Sequence, residues 1–255
     1  MPLVVTHRDD PAERIWFESI ADVARRAHID VLLDPDGNEL AQKLRAIAPD
    51  FIFSFYYRRM LPPEVLATAK RGAYNMHGSL LPKYRGRAPV NWAVLKGETQ
   101  TGATLHEMTT KPDAGRIVDQ KSVAIGPDET AAEVFAKVTA AAEAVMRRSI
   151  GPLVAGQAKL RPNELAQGSY FGARRPEDGR IDWTRSAQEI HNLVRAVAPP
   201  YPGAFDDQLK ILRTRLEPGR RAPPGLKGPY LENGEWFALC GDGKVLRLLE
   251  VQERT

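Results

Sequence analysis

The chain has one cysteine, Cys240, in 255 residues. A lone thiol closes no internal disulfide and supplies no cysteine set for a structural metal, so the fold must hold by burial and hydrogen bonding, as expected in a reducing compartment. No apolar run approaches the ~20 residues that span a bilayer, and the opening MPLVVTHRDD lacks the layout of a signal peptide. The expectation is a cytoplasmic protein. Neither a P-loop nor a dinucleotide-binding glycine fingerprint is present, and no internal repeat. His7 and His28 have no spacing that suggests ligation, so no metal is expected. Charge of one sign is not in excess either: the formal net charge is +4, with acids and bases interspersed, which suits anionic substrates without requiring nucleic acid. Two basic clusters stand out, Lys83, Arg85 and Arg87, and later Arg213, Arg215, Arg220 and Arg221.

What is present is enough apolar residue, 43% of the chain, to bury a full core and leave a second, smaller domain. The first half alternates short β-rich runs with helical patterns, which predicts an α/β fold with a doubly wound, mostly parallel sheet. Strands are expected at Leu3–Thr6, Asp30–Leu33, Phe51–Tyr57, Ala73–His77, Ala103–Met108 and Ile117–Ala124. Helices are expected over Ala12–Arg26, Glu39–Ile47, Pro63–Ala69, Val90–Lys96 and about Thr130 to Leu153, the last capped by Asp128 or Thr130. The pattern then breaks, giving a catalytic domain over 1–156, a linker over 157–168 and a β-rich domain over 169–255 that carries one helix, Ala187–Val197.

In the strand ending at Gly78, Asn75 and His77 are two residues apart and project from one face, at the strand end where open α/β sheets bind ligands. An amide beside an imidazole suits a developing oxyanion; the same pair would also serve to tie neighbouring loops. Lys83 through Pro89 is a loop with three cations, leading to a helix start that favours an anion if the loop is not simply solvated. Pro112 and Gly115 make a tight turn presenting Asp113, either capping that turn or, folded over the strand end, orienting His77. His106 and His191 read as packed residues.

The run Asn75-Met76-His77-Gly78-Ser79-Leu80-Leu81-Pro82 followed by Tyr84-Arg85-Gly86, together with Gly102 through Met108 and Asp113-Ala114-Gly115, resembles the folate-dependent formyltransferases. Within that family, Phe51 through Arg58, Lys83 through Pro89 and His191 through Val197 are similar to the formyltransferase domain of the bifunctional polymyxin-resistance enzyme. The resemblance implies a Rossmann-like first domain, a smaller β-barrel-like second one, and 10-formyltetrahydrofolate as co-substrate. It implies a nucleotide-linked amino sugar such as UDP-4-amino-4-deoxy-L-arabinose as acceptor. It also implies catalysis by Asn75, a protonated His77 and Asp113, a pterin cradled by Tyr56, Tyr57, Arg58, Lys111 and Pro112, and substrate contacts from Ser79, Arg85 and Arg87. Family members begin with a further strand and helix, so the resemblance implies that an interior strand of the sheet is missing. Competing readings are a methionyl-tRNA formyltransferase, a catalytically impaired folate-binding paralogue, and a hydrolase releasing formate.

Overall fold

The first two strands are short, mostly apolar runs, each followed by a helix that a side chain caps. The computed structural model describes residues 1–9, 15 and 17–254. Strands β1 (Leu3–Thr6) and β2 (Asp30–Leu33) form a parallel pair. A second sheet has the order β3-β4-β6-β7, with β3 (Phe51–Phe55), β4 (Gly72–His77), β6 (Gln100–Glu107) and β7 (Ile117–Ala124). Its β3–β4 pair is parallel, whereas β4–β6 and β6–β7 are antiparallel. The parallel pattern therefore covers only the first four strands: β6 runs antiparallel to β4, and the connection from β6 to β7 is too short for a parallel crossover. Among the described residues no ladder joins β1 to β3. The two sheets nevertheless share one apolar cluster, in which Leu3, Val5, Leu32 and Ile52 pack against Leu40, Leu44 and Val65.

The helices follow from their caps. Ser19 caps α1 (Ile20–Arg26); of the longer helix expected there, residues 12–14 and 16 lie outside the described residues. Asp36 caps α2 (Gly37–Ile47), and α3 (Pro63–Leu66) ends early where the Thr68 hydroxyl bonds to the Val65 carbonyl. β3 stops before Tyr56, which turns to a φ of 54°. A short strand, β5 (Arg85–Gly86), precedes α4 (Pro89–Leu95). Thr130 and Glu133 form a reciprocal cap at the start of α5 (Ala131–Val154). Val134, Val138, Ala141 and Val145 follow helical spacing along one face of α5 and bury almost completely against Met76, Ala103 and Leu105 of the sheet.

After α5 the chain runs back across the first domain before leaving it. Strand β8 (Tyr170–Phe171), assigned by composition to the second domain, pairs in parallel with β5. The second domain consists of α6 (Ala187–Val197) on an antiparallel sheet ordered β11-β12-β13-β10-β9. Its strands are β9 (Ala204–Phe205), β10 (Leu209–Leu216), β11 (Gly228–Glu232), β12 (Glu235–Leu239) and β13 (Val245–Glu253). This is a separate antiparallel sheet, as expected of the smaller second domain, with no ladder between β9 and β11 among the described residues.

Helix α6 docks the two domains. His191 is buried with its ring nitrogens facing the Thr214 hydroxyl at 2.9 Å and the Pro127 carbonyl at 3.0 Å. The Arg195 guanidinium, 5% exposed, donates to the carbonyls of Val94, Gly126 and Glu129 and to the Asn192 side chain. His191 is thus a packed residue, as the sequence suggested, and Arg195 is packed beside it. Cys240 is buried, and burial pushes its thiol up to about 12, which leaves it inert as a nucleophile at neutral pH.

Candidate active site

The carboxyl end of β4 carries the polar residues, and the strand register decides which others join them. Asn75 and His77 share a face, and the antiparallel register sets His106 of β6 directly opposite Asn75 and Thr104 opposite His77. Asp113 arrives from the turn after β6, at a φ of 47°. Its carboxylate Oδ1 lies 3.6 Å from His77 Nδ1 and 3.4 Å from His106 Nε2, and its Oδ2 accepts the Gly86 N–H at 2.8 Å. Gly86 has a φ of 98°, and a Cβ there would stand 2.1 Å from the Phe171 carbonyl oxygen, so only glycine brings this N–H to Asp113. The structure therefore gathers Asn75, His77 and Asp113, and adds His106, which sequence reasoning set aside as packed. The signal for His106 was its alternation with Thr104 between the apolar Ala103 and Leu105; the cross-strand register that gives it meaning is not written locally.

The electrostatics assign the protons. His77 is 6% exposed, and burial is the largest influence on it. Asp113 and the Tyr84 carbonyl favour the charged ring, but the net shift is downward, toward neutral imidazole. Nε2 of His77 lies 2.7 Å from the Tyr84 carbonyl oxygen, an acceptor, so the one proton of the neutral ring sits on Nε2 and Nδ1 is left as a base beside Asp113. This departs from the expected protonated His77: its burial opposes the charge, and the committed Nε2–H is not free for an oxyanion. Burial would raise the Asp113 carboxyl, but the neighbouring His106, His77 and the Gly86 N–H outweigh it and hold the group below the usual carboxylate range.

The residues around this centre divide into supports and accessible groups. Ser79, expected to meet substrate, is fully buried and its hydroxyl donates to the Lys83 carbonyl at 2.6 Å, so it closes the loop from within. Arg87 donates to the Arg58 carbonyl at 3.2 Å and ties the two loops together. Arg85 differs: its Nε is buried without a hydrogen-bond partner, an uncompensated donor beside the residue that binds Asp113. Tyr57 stacks on His7 at 4.5 Å, and the Arg58 N–H donates to His7 Nε2. Tyr56 lies over Gly78 and packs against Phe135 while remaining 44% exposed. Lys111 and Pro112 belong to the Asp113 turn, Lys111 exposed and Pro112 half-buried. Of the late arginines, Arg213 faces Glu133 at 3.5 Å, and Arg220 pairs with Glu232 while stacking on Phe237. Among the described residues no group of His, Cys, Asp and Glu is placed to hold a metal ion.

An amide, an imidazole and a carboxylate thus meet at the end of a parallel strand of an α/β sheet. Residues 3–150 match the family model described as formyl transferase, and residues 174–255 match formyl transferase, C-terminal domain; the chain belongs to the formyl transferase family. It is similar in structure to the N-formyltransferase from Helicobacter canadensis in complex with folinic acid and dTDP-3-aminofucose, with a TM-score of 0.76 and 21% identity over 99% of this chain and 89% of that one. A sugar 3N-formyl transferase, WlaRD, in the presence of dTDP and 5-N-formyl-THF, gives a TM-score of 0.76 and 21% identity over 98% of this chain and 87% of that one. HypX from Aquifex aeolicus in complex with tetrahydrofolic acid gives 0.68 and 20% over 99% of this chain, which spans 44% of that larger protein.

Proposed function

We propose that the chain transfers the formyl group of 10-formyltetrahydrofolate to the amine of a nucleotide-linked amino sugar. The observation that carries this reading is the convergence of Asn75, neutral His77 and Asp113, with Nδ1 of His77 3.6 Å from the carboxylate. Similar structures bound to folinic acid with dTDP-3-aminofucose, or to 5-N-formyl-THF with dTDP, support both substrate classes. UDP-4-amino-4-deoxy-L-arabinose, implied by the sequence resemblance, is the first acceptor to test and dTDP-3-aminofucose the second. The ring of Tyr56, partly exposed beside Gly78, offers a face for a pterin, and the unpartnered Nε of Arg85 offers a donor for an anionic group of either substrate.

The chemistry follows from the proton positions. The acceptor amine attacks the formyl carbon, and the carbonyl π electrons move to oxygen, where an Asn75 N–H stabilises the oxyanion. The amine proton passes to Nδ1 of His77, giving an imidazolium held between the Tyr84 carbonyl and Asp113. Collapse expels the folate nitrogen, which takes up a proton, leaving N-formyl sugar and tetrahydrofolate. Binding of tRNA finds less support, since Arg213 and Arg220 are paired with acids.

The test is incubation with 10-formyltetrahydrofolate and each amino sugar, read by mass spectrometry, for the wild type and His77→Ala. A formylated sugar that disappears in the variant supports the proposal. Formate release without an acceptor, or folate binding without transfer to any sugar, removes it.

A further inference from the structure

His106 is 2% exposed, and each ring nitrogen has a defined neighbour. Nδ1 lies 2.7 Å from the main-chain carbonyl oxygen of Glu107, and Nε2 lies 3.2 Å from the amide nitrogen of Asn75 and 3.4 Å from Asp113 Oδ1. A carbonyl oxygen only accepts, so the hydrogen of the neutral ring belongs on Nδ1 and Nε2 carries a lone pair. A side-chain amide facing that lone pair has to turn its NH2 group toward it, since its own carbonyl there would set two acceptors together. The NH2 group has two hydrogens: one is held by His106, and the other remains for an incoming oxygen.

We infer that His106 is a positioning residue that fixes the amide orientation of Asn75. The Glu107 carbonyl sets the His106 tautomer, the tautomer sets the Asn75 amide, and the amide then presents N–H rather than C=O to the reacting carbonyl. Freed from His106, the Asn75 amide can turn over and place its oxygen against a developing oxyanion, converting a stabilising contact into a repulsive one. The competing arrangement is an imidazolium whose Nε2–H donates to Asp113 Oδ1 at 3.4 Å, the contact through which His106 would lower the Asp113 carboxyl, and it would turn the Asn75 carbonyl toward the ring. The pairing of Asn75 with His106 across the β4–β6 register makes the first arrangement local to two facing residues of adjacent strands. The consequence for rate rests on the formyl-transfer reading; the tautomer and the amide orientation do not.

The experiment has two arms. In the first, nitrogen-15 NMR of the wild-type protein near neutral pH reads the His106 ring, expected with Nδ1 protonated and Nε2 bare; a proton on Nε2 overturns the inference whatever the reaction proves to be. In the second, steady-state kinetics compare His106→Leu, His106→Gln, Asn75→Ala and the double variant Asn75→Ala/His106→Leu. Leucine is expected to lower kcat on the order of tenfold to hundredfold with the folate KM little changed, because one oxyanion donor is misdirected. Glutamine, whose side-chain oxygen reaches the position of Nε2, restores most of that loss. The double variant is expected to be no slower than Asn75→Ala, since both act through one amide. A wild-type kcat in His106→Leu, equal losses in the Leu and Gln variants, or additive losses in the double variant overturns it. Absence of transfer by the wild type would remove the formyl-transfer reading while the ring measurement still decides the positioning.

Discussion

The side-chain amide of Asn163, far along the chain beyond α5, donates to the main-chain carbonyl of Asp113 at 3.0 Å and to that of Gly115 at 3.2 Å. A residue of the interdomain segment therefore holds the turn that presents the carboxylate. Asn163→Ala is expected to lower kcat roughly tenfold with substrate KM little changed, because a small displacement of a reacting group is costly. Steady-state kinetics would show it; an unchanged kcat would mean that the bonds of Thr109 with Lys111 hold the turn alone.

Replacing Asn75 by alanine removes the proposed oxyanion donor and leaves His77 and Asp113 in place. The expected loss is about 3 kcal/mol of transition-state stabilisation, on the order of a hundredfold in kcat. Folate affinity measured by fluorescence titration should stay close to wild type, and a parallel collapse of that affinity would assign Asn75 to binding instead.

Asp113 raises the pKa of His77 through its negative charge, against the larger opposing effect of burial. Asp113→Asn removes that charge, so the pKa of His77 falls further and the imidazolium formed in the reaction loses its partner. The rate is expected to drop by two orders of magnitude or more, and the acidic limb of the kcat profile to move to lower pH. A limb that stays in place would show that another group is the base.

Acid should destabilise the fold in two stages. Burial holds the pKa values of His77 and His191 below the ordinary histidine value, so the unfolded chain takes up protons that the folded chain does not. Stability is then full above about pH 6.5 and decreases below it, by up to ~1.4 kcal/mol per pH unit for each ring. Asp113, held below the carboxylate range, adds stability above about pH 4 that disappears as pH falls through its folded value. Urea unfolding between about pH 5 and pH 7.5 measures the first stage; His191→Gln should reduce its slope, and a pH-independent midpoint would contradict the assignment.

Arg195→Met keeps the bulk of the side chain but removes the guanidinium bonds to three carbonyl oxygens at the domain junction, those of Val94, Gly126 and Glu129. The expected destabilisation is on the order of 3 kcal/mol, seen in denaturant unfolding as a lower midpoint. If α6 is the principal dock, the two domains should also unfold in separate steps; a single unshifted transition would place the coupling elsewhere.

Much of this was legible in the chain. The bounds of β1, β2, β7 and α6 are those expected from the residue pattern, and the common face of Asn75 and His77 follows from strand period alone. Family membership was legible from the segments around Asn75 and Asp113. What was not legible depends on contacts between distant segments. The protonation of His77 is decided by the Tyr84 carbonyl and by burial, the role of Ser79 by a bond to Lys83, and the place of His106 by strand register. The two-residue strands β5 and β8 carry no periodicity to read, since each exists only because the other lies beside it.

That small pairing limits how such chains can be recombined. Arg85 N–H bonds to the Ser169 carbonyl and Arg87 N–H to that of Phe171, Tyr84 N–H is held by the Ser169 hydroxyl, and the Tyr84 carbonyl in turn accepts the hydrogen bond from His77 Nε2–H. A chimera joined near residue 156 would import a foreign backing for the His77 loop together with the foreign C-terminal sheet. A junction after Gly172 would keep the loop with its own support, so an exchange of C-terminal sheets between homologues should be cut there.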